Sequence, residues 1–224
     1  MIPLRDDVRI RDTPIAVALL IATNVAAFLF VLSLDAGHAA SLFDRWALVP
    51  REFLRGAVQP AATRQMTWLT PVSSMFLHAS LLHLAGNMLT LWIFGSVVED
   101  LLGRMRFLVF YFACGLAAAA IQIASDPAAY VATVGASGAI SGLLGAYAVS
   151  YPSARLRLAV PPLRVPALLF LTLWIAIQVA SGFQARGDTA VGIAWWAHVG
   201  GFLAGVSLVR SMWVRKPTRS RLRI

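Results

Sequence analysis

The chain has 224 residues, 59% hydrophobic and 13% charged, with a mean hydropathy of +0.74. A soluble domain carries about 45–50% apolar and about 25% charged residues, so this composition indicates a membrane protein. The formal net charge of +9 needs no nucleic-acid partner once the basic residues are sorted by side of the membrane, and the single cysteine, Cys114, excludes an intramolecular disulfide.

Residues 1–13 are polar and of mixed charge, and the uncharged stretch that follows, Pro14 to Leu34, is long enough to cross a bilayer as a helix. Its 21 residues exceed the apolar core of about 7–15 expected of a signal peptide, so retention is expected despite the small residues Ala36-Gly37-His38-Ala39-Ala40. Five further uncharged stretches run from Gln65 to Val98, Phe107 to Ser125, Pro127 to Ala154, Val165 to Ala185 and Thr189 to Val209. The expected fold is all-α: a polytopic bundle of six transmembrane helices over residues 14–212, between a cytoplasmic segment 1–13 and a basic cytoplasmic tail 213–224.

The connection from Asp35 to Arg64 interleaves Arg45, Arg51, Arg55 and Arg64 with Leu42, Phe43, Trp46, Leu48, Phe53 and Leu54. That mixture suits the membrane interface; an ordinary solvated loop is the alternative. Of the 19 basic residues, 14 fall on the side of the two termini and only Arg45, Arg51, Arg55, Arg64 and Arg186 on the other. By the positive-inside rule both termini are cytoplasmic, and the Arg-rich tail from Arg215 to Arg223 reads as a topology and headgroup anchor.

The second, fourth and sixth spans then all run inward, and a rise of about 1.5 Å per residue serves as a depth gauge. Counted from Arg210, Glu99 and Tyr151, His198 and Asn87 lie about 18 Å up, Ser137 about 21 Å and His83 about 24 Å. All four share one layer in the outer half of a core about 30 Å thick. Tyr151-Pro152 should stop the fourth helix, which is then too short to cross the whole hydrocarbon layer if it starts at Ser137. Backbone from Asp126 to Val134 must therefore be buried in protein or line a hydrated cavity, which is expected to open outward.

Gly138, Ser141, Gly142 and Gly145 recur at helical spacing, as do Gly201 and Gly205, so the fourth and sixth helices can pack closely. His198 shares the face of Gly201 and points at that contact. His83 and Asn87, four apart, share a face of the second helix. Polar groups are costly in this layer, so their placement there suggests chemistry.

Phe76-Leu77-His78-Ala79-Ser80 followed by His83 and Asn87, Val98-Glu99-Asp100-Leu101-Leu102-Gly103-Arg104, Gly135-Ala136-Ser137-Gly138, and Ala197-His198-Val199-Gly200-Gly201 with Gly205 occur in this order on separate helices. Over most of residues 68–210 the chain thus resembles the rhomboid intramembrane serine proteases of the bacterial six-helix type, set in a cell (inner) membrane. The resemblance implies a dyad of Ser137 as nucleophile and His198 as general base, with His83 and Asn87 binding the oxyanion and His78, Gly135, Gly138, Gly201 and Gly205 in structural roles. It implies substrates that are transmembrane segments of other proteins, cut near the outer interface, and no cofactor. Two departures stand out. The first loop lacks a Trp-Arg pair, and Ser141 occupies the position where an aromatic often supports the base.

The residues make the same chemical case directly. A serine hydroxyl needs a neighbouring base, for which a neutral histidine suffices. Asp126 and Asp188 sit in outer loops, so a dyad without a carboxylate is expected. Asn87, His83 and the Ser137 N–H, at the positive end of its helix, can supply oxyanion donors. A metal would need a fourth ligand beside His78, His83 and His198, and the i, i+5 spacing of the first two puts them on different helical faces, so none is expected. Trp195-Trp196 reads as interfacial packing. The competing function is a catalytically silent relative that binds or escorts membrane segments, which would have no need of Ser137 and His198 in a costly layer.

Overall fold

The computed structural model describes residues 3–58, 67–158, 163–185 and 193–214. Its helices are α1 (Ile15–Leu32), α2 (Ala36–Trp46), α3 (Pro50–Val58), α4 (Leu81–Leu102), α5 (Arg104–Ser125), α6 (Ser137–Ser150), α7 (Ala167–Gln184) and α8 (Trp195–Met212). The six expected spans correspond to α1 and α4 to α8. Helices α1, α4, α5 and α7 are each long and apolar enough to cross a membrane. The shorter α6 has most of its side chains buried and is enclosed by α5 and α8, so its fourteen residues are shielded by protein where they fall short of a full crossing.

Two boundaries differ from the sequence reading. The second span was expected from Gln65, but α4 starts only at Leu81, where the Ser80 hydroxyl accepts from the His83 N–H (3.2 Å). Thr67–Leu69, Thr70–Ser73 and Ser74–Phe76 form separate short helical turns, and His78 lies in the non-helical link before the cap. The i, i+5 face argument for His78 and His83 therefore fails, because only His83 is helical. Helix α5 begins at Arg104, earlier than the uncharged stretch suggested: Gly103 takes a left-handed φ of +75° and turns the chain directly from α4 into α5.

The first connection is folded. Asp35 caps α2 by accepting from the Gly37 and His38 N–H groups, both at 3.0 Å. Leu48 and Thr133 exchange backbone hydrogen bonds of 3.1 and 2.7 Å, the Arg51 N–H donates to the Ala129 carbonyl (3.2 Å), and the Arg51 guanidinium lies 4.2 Å from the Tyr130 ring centre. These contacts fasten the connection to the irregular backbone that leads into Ser137. Arg64, Arg186, Asp188 and the tail from Arg215 lie outside the described residues.

At the opposite end, β1 (Pro3–Asp6), β2 (Arg155–Leu158) and β3 (Arg164–Pro166) form an antiparallel sheet in that order. It joins the amino terminus to the α6–α7 connection. Tyr147 of α6 donates to Asp6 Oδ2 (2.6 Å), and burial pushes the Asp6 carboxyl up to about 6. Beside this sheet Glu99 accepts from the Ala16 and Val17 N–H groups (3.0 and 2.8 Å), while Asp100 accepts from those of Arg11 and Asp12 (2.9 and 3.1 Å). Glu99 satisfies donors that the first turn of α1 leaves open, and Asp100 holds the chain that leads into it.

Helices α6 and α8 meet through glycine. A Cβ at Gly205 would lie 2.6 Å from the Gly142 carbonyl carbon, and one at Gly201 would lie 3.0 Å from that of Gly138. Neither site admits a side chain while the backbones remain this close.

Candidate functional site

Ser137 is the first residue of α6, set up by Gly135, whose φ of +109° is a left-handed conformation that side chains disfavour. The Gly135 N–H donates to the Ser74 carbonyl (2.9 Å), which fixes the approach to the helix. Any Cβ at Gly135 would come within 2.7 Å of the His83 ring and 3.3 Å of Asn87 Nδ2. Glycine there lets α4 bring both side chains up to the backbone next to Ser137. Gly138 is equally confined, since a Cβ would sit 2.7 Å from that of Ala118.

The small-residue contact places His198 of α8 opposite the serine, with its Nε2 2.8 Å from Ser137 Oγ. Ser137, His198, His83 and Asn87 line one cavity of about 600 Å³ between α4, α6, α7 and α8. Asn87 is 8% exposed, and its Nδ2 has no hydrogen-bond partner among the described residues. A buried amide donor left open in this way is ready for an incoming acceptor. His78, 2% exposed, packs edge-on against His83 with ring centres 5.1 Å apart. It stands behind His83 and does not line the cavity.

The structure adds residues that the sequence reading passed over. Gln178 of α7 is 5% exposed, and its Oε1 lies 2.7 Å from His198 Nδ1. One turn earlier, the Trp174 ring faces His198 at 5.9 Å and 37°, so the aromatic surface absent at Ser141 is supplied from α7. The Ser141 hydroxyl instead donates to the Ser137 carbonyl (2.6 Å). The signal was a lone amide in an apolar stretch with a tryptophan four residues before it on the same face. Trp195 also belongs to the site: three residues before His198 on α8, it lines the cavity and meets the imidazole edge-on at 6.4 Å. Only Trp196 packs as expected, against Phe183 and Gly182 of α7. A further amide, Gln122 of α5, accepts from the Ala197 N–H (3.1 Å) and ties down the first turn of α8.

Chemically, the cavity offers a hydroxyl within hydrogen-bond reach of an imidazole, an open amide donor and a second imidazole close by. That arrangement suits attack on a carbonyl carbon with stabilisation of the oxygen left behind. Residues 65–215 match the family model described as Rhomboid domain. The RHOMBOID-like protein 5 of Arabidopsis thaliana is 34% identical over 61% of the chain and 41% of its own length. Rhomboid-like protease 3 of Toxoplasma gondii is 31% identical over 70% of the chain and 56% of its own length. Rhomboid protease GluP of Bacillus subtilis is 37% identical over 41% of the chain and 17% of its own length. The chain thus spans under two thirds of each of these relatives.

Proposed function

This chain belongs to the rhomboid family, and we propose that it is an intramembrane serine endopeptidase that cuts transmembrane segments of other membrane proteins near the outer interface. We place it in a prokaryotic cell (inner) membrane, and the basic-residue asymmetry between its two faces supports an orientation with both termini cytoplasmic. The observation that carries the reading is the 2.8 Å approach of Ser137 Oγ to His198 Nε2 inside a cavity.

In this mechanism His198 Nε2 takes the serine proton as Oγ attacks the scissile carbonyl carbon. The carbonyl oxygen becomes an oxyanion that accepts from Asn87 Nδ2, His83 and the Ser137 N–H, donors set in place before the reaction. Collapse of the tetrahedral intermediate breaks the C–N bond, and the proton on His198 goes to the leaving amine. Water, deprotonated by the same imidazole, then hydrolyses the acyl-serine and returns the proton to Oγ. The cavity beside Ser137 gives that water a place within the bundle.

The test is labelling of purified protein in proteoliposomes by a serine-reactive fluorophosphonate, alongside cleavage of a reporter transmembrane segment. The reading requires that the native chain label and cleave, and that Ser137→Ala and His198→Ala abolish cleavage while still folding. A native protein that binds the reporter without labelling or cleaving it would instead be an escort factor.

A further inference from the structure

We propose that Gln178 is the positioning residue that fixes the tautomer of His198, so that a neutral amide takes the third place behind serine and histidine. The proposal rests on the protease reading and deepens it.

The hydrogen-bond directions decide the assignment. Gln178 lies between two partners on the buried side of α7. One is the Trp174 carbonyl, which can only accept, so the amide nitrogen Nε2 must face it, as it does at 3.4 Å. The other amide atom, Oε1, then faces His198 Nδ1 at 2.7 Å. An amide oxygen can only accept, so Nδ1 must carry the N–H. In a neutral imidazole the other nitrogen, Nε2, is then unprotonated, and it is the one 2.8 Å from Ser137 Oγ. The Trp174 carbonyl thus sets the amide, and the amide sets the ring. Trp174 also holds the imidazole plane with its own ring, so one turn of α7 supplies both orientation and support. A carboxylate in this position would bring a charge into a layer where charges are costly, whereas an amide fixes the same tautomer without one.

The experiment compares Gln178→Met, which keeps length and volume but has no acceptor oxygen, with Gln178→Glu, which keeps an acceptor at the same reach. Full-length proteins are assayed in proteoliposomes for reporter cleavage, fluorophosphonate labelling rate and thermal unfolding. Gln178→Met should lower kcat and the labelling rate by about tenfold to a hundredfold with KM little changed, since an unpaired buried Nδ1–H disfavours the competent tautomer. Gln178→Glu should recover most of the loss. A rise in KM alone, unchanged kcat, or failure of Gln178→Glu to recover activity overturns the proposal. Should the variants not fold, ¹⁵N NMR of the histidine rings in the native protein gives the answer: a proton on Nδ1 of neutral His198 supports the assignment, and a proton on Nε2 refutes it. This readout does not depend on protease activity, so a native chain that neither labels nor cleaves refutes the protease reading and leaves the tautomer assignment separately testable.

Discussion

Gly201→Ala adds a single methyl where the structure leaves no room for one. The new Cβ would stand 3.0 Å from the Gly138 carbonyl carbon and closer still to its oxygen. Ordinary carbon contacts lie near 3.5–4.0 Å, so α6 and α8 must part by about 1 Å at this level. Ser137 immediately precedes Gly138, and His198 stands three residues before Gly201, so the separation falls on the 2.8 Å link between them. Stretched by about 1 Å, that link leaves hydrogen-bond range, and a misplacement of this size lowers rate by about 10²-fold. Overpacking a close contact destabilises by about 1–3 kcal/mol. Reporter cleavage, fluorophosphonate labelling and thermal unfolding of the variant should therefore all fall. Gly37→Ala in α2, whose Cβ would meet only the Asp35 carboxylate at an ordinary 3.4 Å, serves as the control. Native activity and native melting temperature in Gly201→Ala would refute the packing argument. Lost stability with native activity would show that the contact does not set the Ser137 to His198 distance.

Asn87→Ala should lower kcat by about 10²–10³-fold with little change in KM, as for loss of an oxyanion donor; a change in KM alone would make Asn87 a substrate-binding group. Asp6 gives a pH prediction. Its folded-state pKa of about 6, raised by burial, exceeds the ordinary carboxylate value of 3.8, so its stabilising contribution is complete below about pH 4 and is lost as pH rises through about 6. Asp6→Asn keeps an acceptor for Tyr147 and removes the charge. It should gain roughly 1–2 kcal/mol at pH 7 relative to the native chain, after allowance for partial exposure, and should flatten the thermal-stability profile between about pH 4 and 6. An identical profile in both proteins would show that the Asp6 carboxylate is better solvated than its burial indicates.

What could be read in advance followed from periodicity and depth. Ser137 heads its helix because Tyr151-Pro152 fixes the other end, and counting back leaves too few residues for a full crossing. His83 and Asn87 share a face because they are one turn apart in a true helix. The same rule misled at His78, where a cap at Ser80 ends the helical register before it reaches the residue. Gln178 has no assignment in the sequence and Trp195 reads there as interfacial packing, although each lies at helical spacing from a residue of interest, because a lone polar or aromatic side chain in an apolar run does not identify its partner on another helix. The sheet was overlooked for another reason. Arg155-Leu156-Arg157-Leu158 alternates with a period of two, its leucines buried and its arginines exposed, yet its arginines were counted only as topology signals.

The Glu99 clasp on α1 has a consequence for biogenesis. Helix α1 leaves the ribosome before α4, and the carboxylate that completes its amino-terminal turn lies 83 residues beyond Ala16. At about 5–20 residues per second, synthesis reaches that residue about 4–17 s later. During that interval the Ala16 and Val17 amides can pair only with water or headgroups. The first span is therefore inserted early and finished late, locked at its amino-terminal end only when α4 enters beside it. A nascent chain arrested before Glu99 carries an apolar helix with an open end, a form in which membrane quality control could tell an unfinished bundle from a complete one.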